Sequence, residues 1–240
     1  MLRSLYFYPL AVLAAIIARL ALIKADYLKR KNRAEDRIIL IHKITYWWAN
    51  FVIKLSGCKV EIEGLENIPK NKTALFVSNH QSNFDIPLLM SVLDVPKGFI
   101  AKKELETVPL LGSWMKYIKC VFIDRKNLRQ SAKAIVQGTN LLKSGYSMVI
   151  FPEGTRSKGG EHANFKAGSF KLATKSKSLI VPITIDGTYN VLEKNNNKIK
   201  SSDLKVIIHK PIDPTALSED ELNVLHESVQ NIVFDSLIQK

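Results

Sequence analysis

The 240-residue chain is 46% apolar and 24% charged, a balance that supports a packed core and excludes a disordered chain. Its net charge of +13 favours anionic partners, whether nucleic acid, an anionic membrane surface or phosphorylated substrates. Two cysteines, Cys58 and Cys120, exclude a disulfide framework, and no zinc spacing links them to His42, His162, His209 or His226.

The first predicted element is a helix over residues 6–33. Its first part, "LYFYPLAVLAAIIARLALI", is long and apolar enough to suggest a membrane span, with Pro9 and Arg19 as interruptions. Lys24, Lys29, Arg30, Lys31, Arg33 and Arg37 follow, and an anionic leaflet attracts such a segment at about 1 kcal/mol per basic residue. A second helix is predicted over residues 36–56. Asp36, Lys43, Asn50 and Lys54 fall on one narrow line of it, and the rest is apolar, with Tyr46, Trp47 and Trp48 suited to the headgroup level. The pair reads as a hairpin lying in one leaflet. A cleaved signal peptide, or two helices covering a soluble core, are the alternatives. The chain thus divides into a helical hairpin, 1–57, and an α/β domain, 58–240.

Strands are predicted over residues 58–63, 73–78, 98–101, 120–124, 147–151, 179–185 and 204–210. Most are continuous apolar runs, as in strands covered on both faces. Helices are predicted over 86–93, 108–117, 128–143 and 167–175, and a last one follows the capping pattern Ser218…Glu221. The alternation predicts an α/β fold, a mostly parallel sheet of about seven strands covered by helices. Pro182 suggests an edge strand or a bulge. The segment 193–203, "EKNNNKIKSSD", reads as a solvated loop.

In open α/β sheets ligands collect beyond the carboxyl ends of the strands. Four successive strand exits carry "NHQSNFD", "KKEL", Arg125 and "PEGTRSKGG", so His80, Asp85, Lys102, Arg125, Glu153 and Arg156 are candidates for one crevice. His80 and Asp85 could meet across a loop–helix junction, where a carboxylate fixes the imidazole tautomer for a general base. Asp85 could equally be the N-cap of a helix opening on Ile86–Pro87, and both readings hold together. Gly154 permits a tight turn whose amides can donate to an anion, and Arg156 can grip a phosphate with two hydrogen bonds. A salt-bridged surface turn is the plain alternative there. Lys102 and Arg125 are either further phosphate contacts or solvated cations. Ser82 lacks a nucleophile elbow. No Gly-x-Gly-x-x-Gly, Walker loop or metal spacing is present, and the cations are not interleaved with aromatics as on a nucleic-acid platform.

Taken in order, Asn79-His80-x4-Asp85, Phe122-Ile123-x-Arg125, Phe151 to Ser157 ("FPEGTRS") and Val181-Pro182-Ile183 resemble the blocks of the glycerolipid acyltransferase family, bacterial 1-acyl-sn-glycerol-3-phosphate acyltransferases in particular. Lys102 matches the family's Ala-Lys-x-Glu-Leu. Lys119 stands where the second block carries glycine. The resemblance implies that His80, oriented by Asp85, deprotonates the hydroxyl of lysophosphatidic acid, which attacks an acyl-carrier-protein or CoA thioester without an acyl-enzyme. Lys102, Arg125 and Arg156 would hold the acceptor phosphate, with Gly154 in the same substrate site, and Glu153 would orient the glycerol hydroxyl. No metal or other cofactor is implied. The expected place is the cytoplasmic face of the cell membrane, peripheral or monotopic, on its phospholipid surface. Acyl transfer to another acceptor, or a thioesterase or lipase, are the competing readings.

Overall fold

The computed structural model describes residues 2–125 and 127–238. Helix α1, Leu2–Arg30, and helix α2, Ala34–Ser56, form the hairpin. The first helix ends earlier than the sequence suggests. Asn32 adopts φ 55°, and the Arg33 and Asn32 amides donate to the carbonyls of Leu28 and Lys29, a Schellman stop built on asparagine.

One face of α1 is lined by Ala14, Ala18 and Ala25, whose small side chains bring the backbone close to α2. The opposite face leaves Leu5, Leu13, Ile17, Leu20 and Ile23 exposed, so the helix is not the covered core element of a soluble protein. It is the one helix among the described residues long and apolar enough to cross a membrane. Asp36, Lys43, Asn50 and Lys54 of α2 are all exposed, along the predicted line.

The seven strands are β1 Lys59–Glu63, β2 Ala74–Ser78, β3 Lys97–Lys102, β4 Val121–Ile123, β5 Ser147–Ile150, β6 Leu179–Asp186 and β7 Asp203–Ile208. They form one sheet in the order β1-β7-β6-β2-β5-β3-β4. Every pairing is parallel except β6 with β7. The carboxyl ends of β2, β3, β4, β5 and β6 therefore share one edge.

The strands feed two cores by simple alternation. In β2, Ala74 and Phe76 join the core that also takes in Leu22, Ala25, Ala49 and Val52 of the hairpin and Leu88 and Leu89 of α3, Asp85–Val92. Leu75 and Val77 join the opposite core with Leu142 of α5, Leu128–Lys143, Leu172 of α6, Ala167–Ser176, and Val229 of the last helix. Layers of helix thus cover both faces, which is why the central strands β2, β5 and β6 are almost continuously apolar.

Helix α4, Leu111–Tyr117, starts later than predicted, because residues 103–107 form a 3-10 turn and Leu110 adopts φ 64°. The C-terminal helix is two, α7 Glu219–Asn223 and α8 Leu225–Ile238, and α7 opens on the capping box of Ser218 and Glu221. Strand β6 is central, so Pro182 does not mark an edge. Between the pair Ile183–Ile208 and the bridge Ile180–Ile212 the register slips by one residue, and Pro182 falls at that bulge, where no ladder donor is required.

Candidate active site

Strand β2 is followed by Asn79, whose side chain is fully buried and continues the sheet by itself. Its amide donates to the Ile185 carbonyl at 2.8 Å and its oxygen accepts from the Ile185 N–H at 2.8 Å. That lock turns the chain out at His80. The imidazole stacks on Phe151, ring centroids 4.1 Å apart, and its Nδ1 lies 2.6 Å from Asp85 Oδ2.

Asp85 is fully buried. It is the first residue of α3, yet its carboxylate points back onto the loop instead of capping the helix amides ahead. Oδ2 accepts from the N–H groups of Gln81 at 2.8 Å and Ser82 at 3.0 Å, and Oδ1 accepts from the Thr188 hydroxyl at 2.5 Å. Four donors compensate a charge removed from water. With Asp85 on Nδ1, the proton sits there and the Nε2 lone pair is left for an incoming hydroxyl. Ser82 is fully buried, which removes it as a nucleophile; its Oγ accepts from the Phe84 N–H at 2.9 Å.

The segment 151–157 is the cradle of His80. Besides the Phe151 stack, the His80 N–H donates to Glu153 Oε1 at 2.7 Å, and the His80 carbonyl accepts from the Ser157 N–H at 2.8 Å. Glu153 Oε2 accepts from the Ala163 N–H at 3.2 Å. Glu153, expected on the glycerol hydroxyl, is thus only 2% exposed, with both oxygens on backbone amides. Burial pushes its carboxyl above the usual range, and the amides of His80 and Ala163 pull it part of the way back.

The expected phosphate contacts separate. Gly154 turns the chain at φ 73°, and a Cβ there would lie 2.8 Å from Lys166 Nζ and 3.4 Å from Arg125 Nη1. Two cations therefore converge on this turn, and neither has an ion-pair partner among the described residues. Partial burial draws the Arg125 guanidinium down from its ordinary value, while Glu104 opposes that. Lys102 stands farther out, 61% exposed and 3.1 Å from Glu104. Arg156 points elsewhere and donates to Glu193 Oε1 at 2.8 Å. Lys119 does hold the left-handed conformation of the glycine it replaces, at φ 54°, with its ammonium 4.5 Å above the Tyr146 ring.

Sequence reasoning missed Thr188, Lys166 and Glu193. Thr188 stands at the exit of β6, where the strand-end rule could have found it. Lys166 closes the loop after β5 just ahead of α6, beyond the stretch that the strand-end rule singled out. Glu193 sits in the Asn-rich stretch that composition assigns to solvent.

A histidine steadied by a buried carboxylate, beside cations on the carboxyl edge of an α/β sheet, is equipped to move a proton at an alcohol near an anion. The comparisons agree with that class. Residues 59–186 match the family model described as Acyltransferase. The 1-acyl-sn-glycerol-3-phosphate acyltransferase of Borreliella burgdorferi is 31% identical over 198 residues, covering 82% of this chain and 75% of the relative. The chloroplastic 1-acyl-sn-glycerol-3-phosphate acyltransferase LPAT1 of Arabidopsis thaliana is 40% identical over 71% of this chain, which spans about half (48%) of that relative. The crystal structure of PlsC, the 1-acyl-sn-glycerophosphate acyltransferase of Thermotoga maritima, superposes with a TM-score of 0.85 at 30% identity, covering 100% of this chain and 96% of that one. The chain belongs to the acyltransferase family.

Proposed function

We propose that the protein transfers an acyl chain from a thioester to the free sn-2 hydroxyl of 1-acyl-sn-glycerol-3-phosphate, giving phosphatidic acid. The observation that carries this reading is the 2.6 Å contact of His80 Nδ1 with buried Asp85, on the sheet edge that also carries Arg125 and Lys166. The relatives' names supply the acceptor.

His80 Nε2 takes the hydroxyl proton as the oxygen attacks the thioester carbonyl carbon. Asp85 stabilises the imidazolium that forms. The tetrahedral oxyanion collapses, the C–S bond breaks, and Nε2 returns its proton to the departing thiolate. No bond to the protein forms at any stage, in keeping with the burial of Ser82. Arg125 and Lys166, with Lys102 at the rim, take the acceptor phosphate by charge-assisted hydrogen bonds. The donor is acyl-carrier protein or CoA. Residues 1–57 act as the attachment unit and 58–240 as the transferase. The exposed apolar face of α1 and the cations that follow it suit the cytoplasmic leaflet of the cell membrane, where the acceptor resides.

The test is an acceptor panel. Full-length protein in phosphatidylglycerol vesicles receives 1-acyl-glycerol-3-phosphate, glycerol-3-phosphate or lysophosphatidylcholine, each with acyl-CoA and with acyl-carrier protein. Phosphatidic acid is expected as the main product, lost in H80A. Thioester hydrolysis that ignores every acceptor would overturn the reading.

A further inference from the structure

The chain leaves the carboxyl end of β3 at Lys102, passes through the 3-10 turn over residues 103–107, and enters α4 at Leu111. Residues three apart stand on one face of a 3-10 turn, so Leu105 and Val108 share a face. Both are exposed, and so is Leu111 at the start of the helix. This apolar tip is held in shape. Leu110 adopts φ 64° and ψ −55°, and the Leu111 N–H donates to the Pro109 carbonyl at 2.7 Å, a γ-turn of the rare positive-φ form that is strained for a residue with a side chain. Gly112 lies so close beneath the Glu106 carbonyl that a Cβ would overlap it.

The tip stands beside α1. Arg19 Nη1 donates to Ser113 Oγ at 3.2 Å, and the Tyr117 hydroxyl donates to Asp26 Oδ2 at 2.8 Å. The two pairs follow the same order in both helices, so α4 runs along α1 in the same direction. Leu111, two residues ahead of Ser113, is therefore level with the part of α1 that precedes Arg19. That part carries the exposed Leu13, Ile16 and Ile17. The charges flanking the tip are paired: Lys102 with Glu104 at 3.1 Å, Lys103 with Asp124 at 3.6 Å, and Lys116 with Glu106 at 3.0 Å. Exposed apolar side chains with a polar rim mark an interaction surface.

We propose that residues 105–111 are a second membrane-inserting element, which enters the same leaflet as the apolar face of α1 and holds the lip of the active site, at Lys102, against the lipid headgroups. The proposal rests on the reading of α1 as the attachment helix. Continuity with the α1 face selects lipid as the occupant, since a lipid surface covers both patches at once without directional contacts. Paired charges at the rim suit the headgroup level, and the net charge of +13 suits an anionic leaflet. Withdrawing one such apolar side chain from water strengthens attachment about tenfold or more. A lysophosphatidate moving within the leaflet then meets Lys102 and Arg125 without its acyl chain crossing water.

The test uses the full chain with C58S, the buried Cys120 left in place, and one added cysteine carrying an environment-sensitive fluorophore. The positions are L111C at the tip, L20C on α1, and V136C on the exposed side of α5, which covers the other face of the sheet. On phosphatidylglycerol vesicles, the labels at 111 and 20 are expected to shift to the blue and to be quenched by nitroxide lipids, and the label at 136 to do neither. V108D/L111D is expected to lower kcat/KM about tenfold or more for a long-chain lysophosphatidate in vesicles, and to stay within about twofold of wild type for a short-chain one dissolved as monomer. Its thermal unfolding should match wild type, because both residues are exposed. A label at 111 that stays in water while the label at 20 is shielded would overturn the proposal. So would equal losses on the two acceptors, no loss on the vesicle acceptor, or shielding at 111 that rises with protein concentration in the absence of vesicles, the mark of a second copy of this chain. Labels at 20 and 111 that both stay in water would sink the attachment reading and the proposal with it. The labels decide the matter whichever acceptor the enzyme takes.

Discussion

The backbone N–H of His80 donates to the carboxylate of Glu153 at 2.7 Å, so a side chain from the loop after β5 holds the main chain of the histidine on the neighbouring strand exit. Glu153→Ala leaves that amide and the Ala163 amide without their acceptor in a buried place. The expected result is a fall in kcat of at least tenfold with little change in acceptor KM, and a stability loss of about 1–3 kcal/mol. Glu153→Gln keeps one acceptor oxygen and should lie between Ala and wild type. Steady-state kinetics and urea unfolding check both.

His80→Ala removes the proton acceptor, and kcat/KM is expected to drop at least ~10²-fold. Asp85→Asn keeps an oxygen for the loop amides but loses the negative charge that stabilises the imidazolium, so it should fall as far without raising KM. Intact-mass measurement during turnover should show no acylated protein in wild type or in either variant. An adduct on any side chain would contradict direct transfer.

Arg125→Ala and Lys166→Ala each delete a charge-assisted contact of about 1.5–3 kcal/mol, equivalent to a roughly 10- to 100-fold rise in acceptor KM with kcat retained. Lys102→Ala should matter less, because that ammonium is mostly exposed and already faces Glu104. Titration of acceptor at saturating donor reads the order Arg125, Lys166, Lys102.

Thr188→Val keeps the shape of a fully buried residue and removes the donor to Asp85 Oδ1. One oxygen of a buried carboxylate is then unsatisfied, for an expected loss of about 1–3 kcal/mol in unfolding free energy and a lower kcat. Unchanged stability would show that the 2.5 Å contact carries no weight.

Lys97 gives the pH dependence. Its ammonium is buried at the start of β3, donating to the carbonyls of Leu93 at 2.5 Å and Val95 at 3.3 Å, and burial draws its pKa down to about 7, against a smaller pull upward by Asp94. Between that value and the ordinary 10.5, the unfolded chain binds a proton that the folded chain does not. Stability therefore rises with pH across this window, and the cost of burying the charge is fully present below it. Relative to Lys97→Met, the wild type should gain up to about 1.4 kcal/mol per pH unit from pH 7 toward 10. Urea unfolding of both chains at several pH values measures the slope.

The legible part of this molecule was what short-range pattern determines. The apolar runs of β2, β5 and β6 became central strands buried on both faces, and the strand-exit rule gathered His80, Asp85, Glu153 and Arg125 because β2, β5, β3 and β4 are parallel neighbours. What escaped was set by distant partners. Glu193 meets Ser82 across 111 positions of chain, and no local property of "EKNNNK" signals that contact. Glu153 reads as a surface carboxylate until folding places it under the His80 amide. Pro182 left an edge and a bulge both open, and only the partner strand, where the extra residue lies, decides for the bulge. Asn32 also escaped: the pattern carried the first helix on to residue 33, although asparagine is a residue type that tolerates the left-handed stop found there.

Because β7 pairs antiparallel with β6, both β1 and β7 run against the other five strands, and the connections that follow them, residues 64–73 and 209–218, emerge at the far rim of the sheet. A strand of five residues is about 17 Å long, so this rim stands about that far from the histidine. A fluorophore, an immobilising tag or an inserted epitope at 209–218 would report on the working molecule without entering its chemistry.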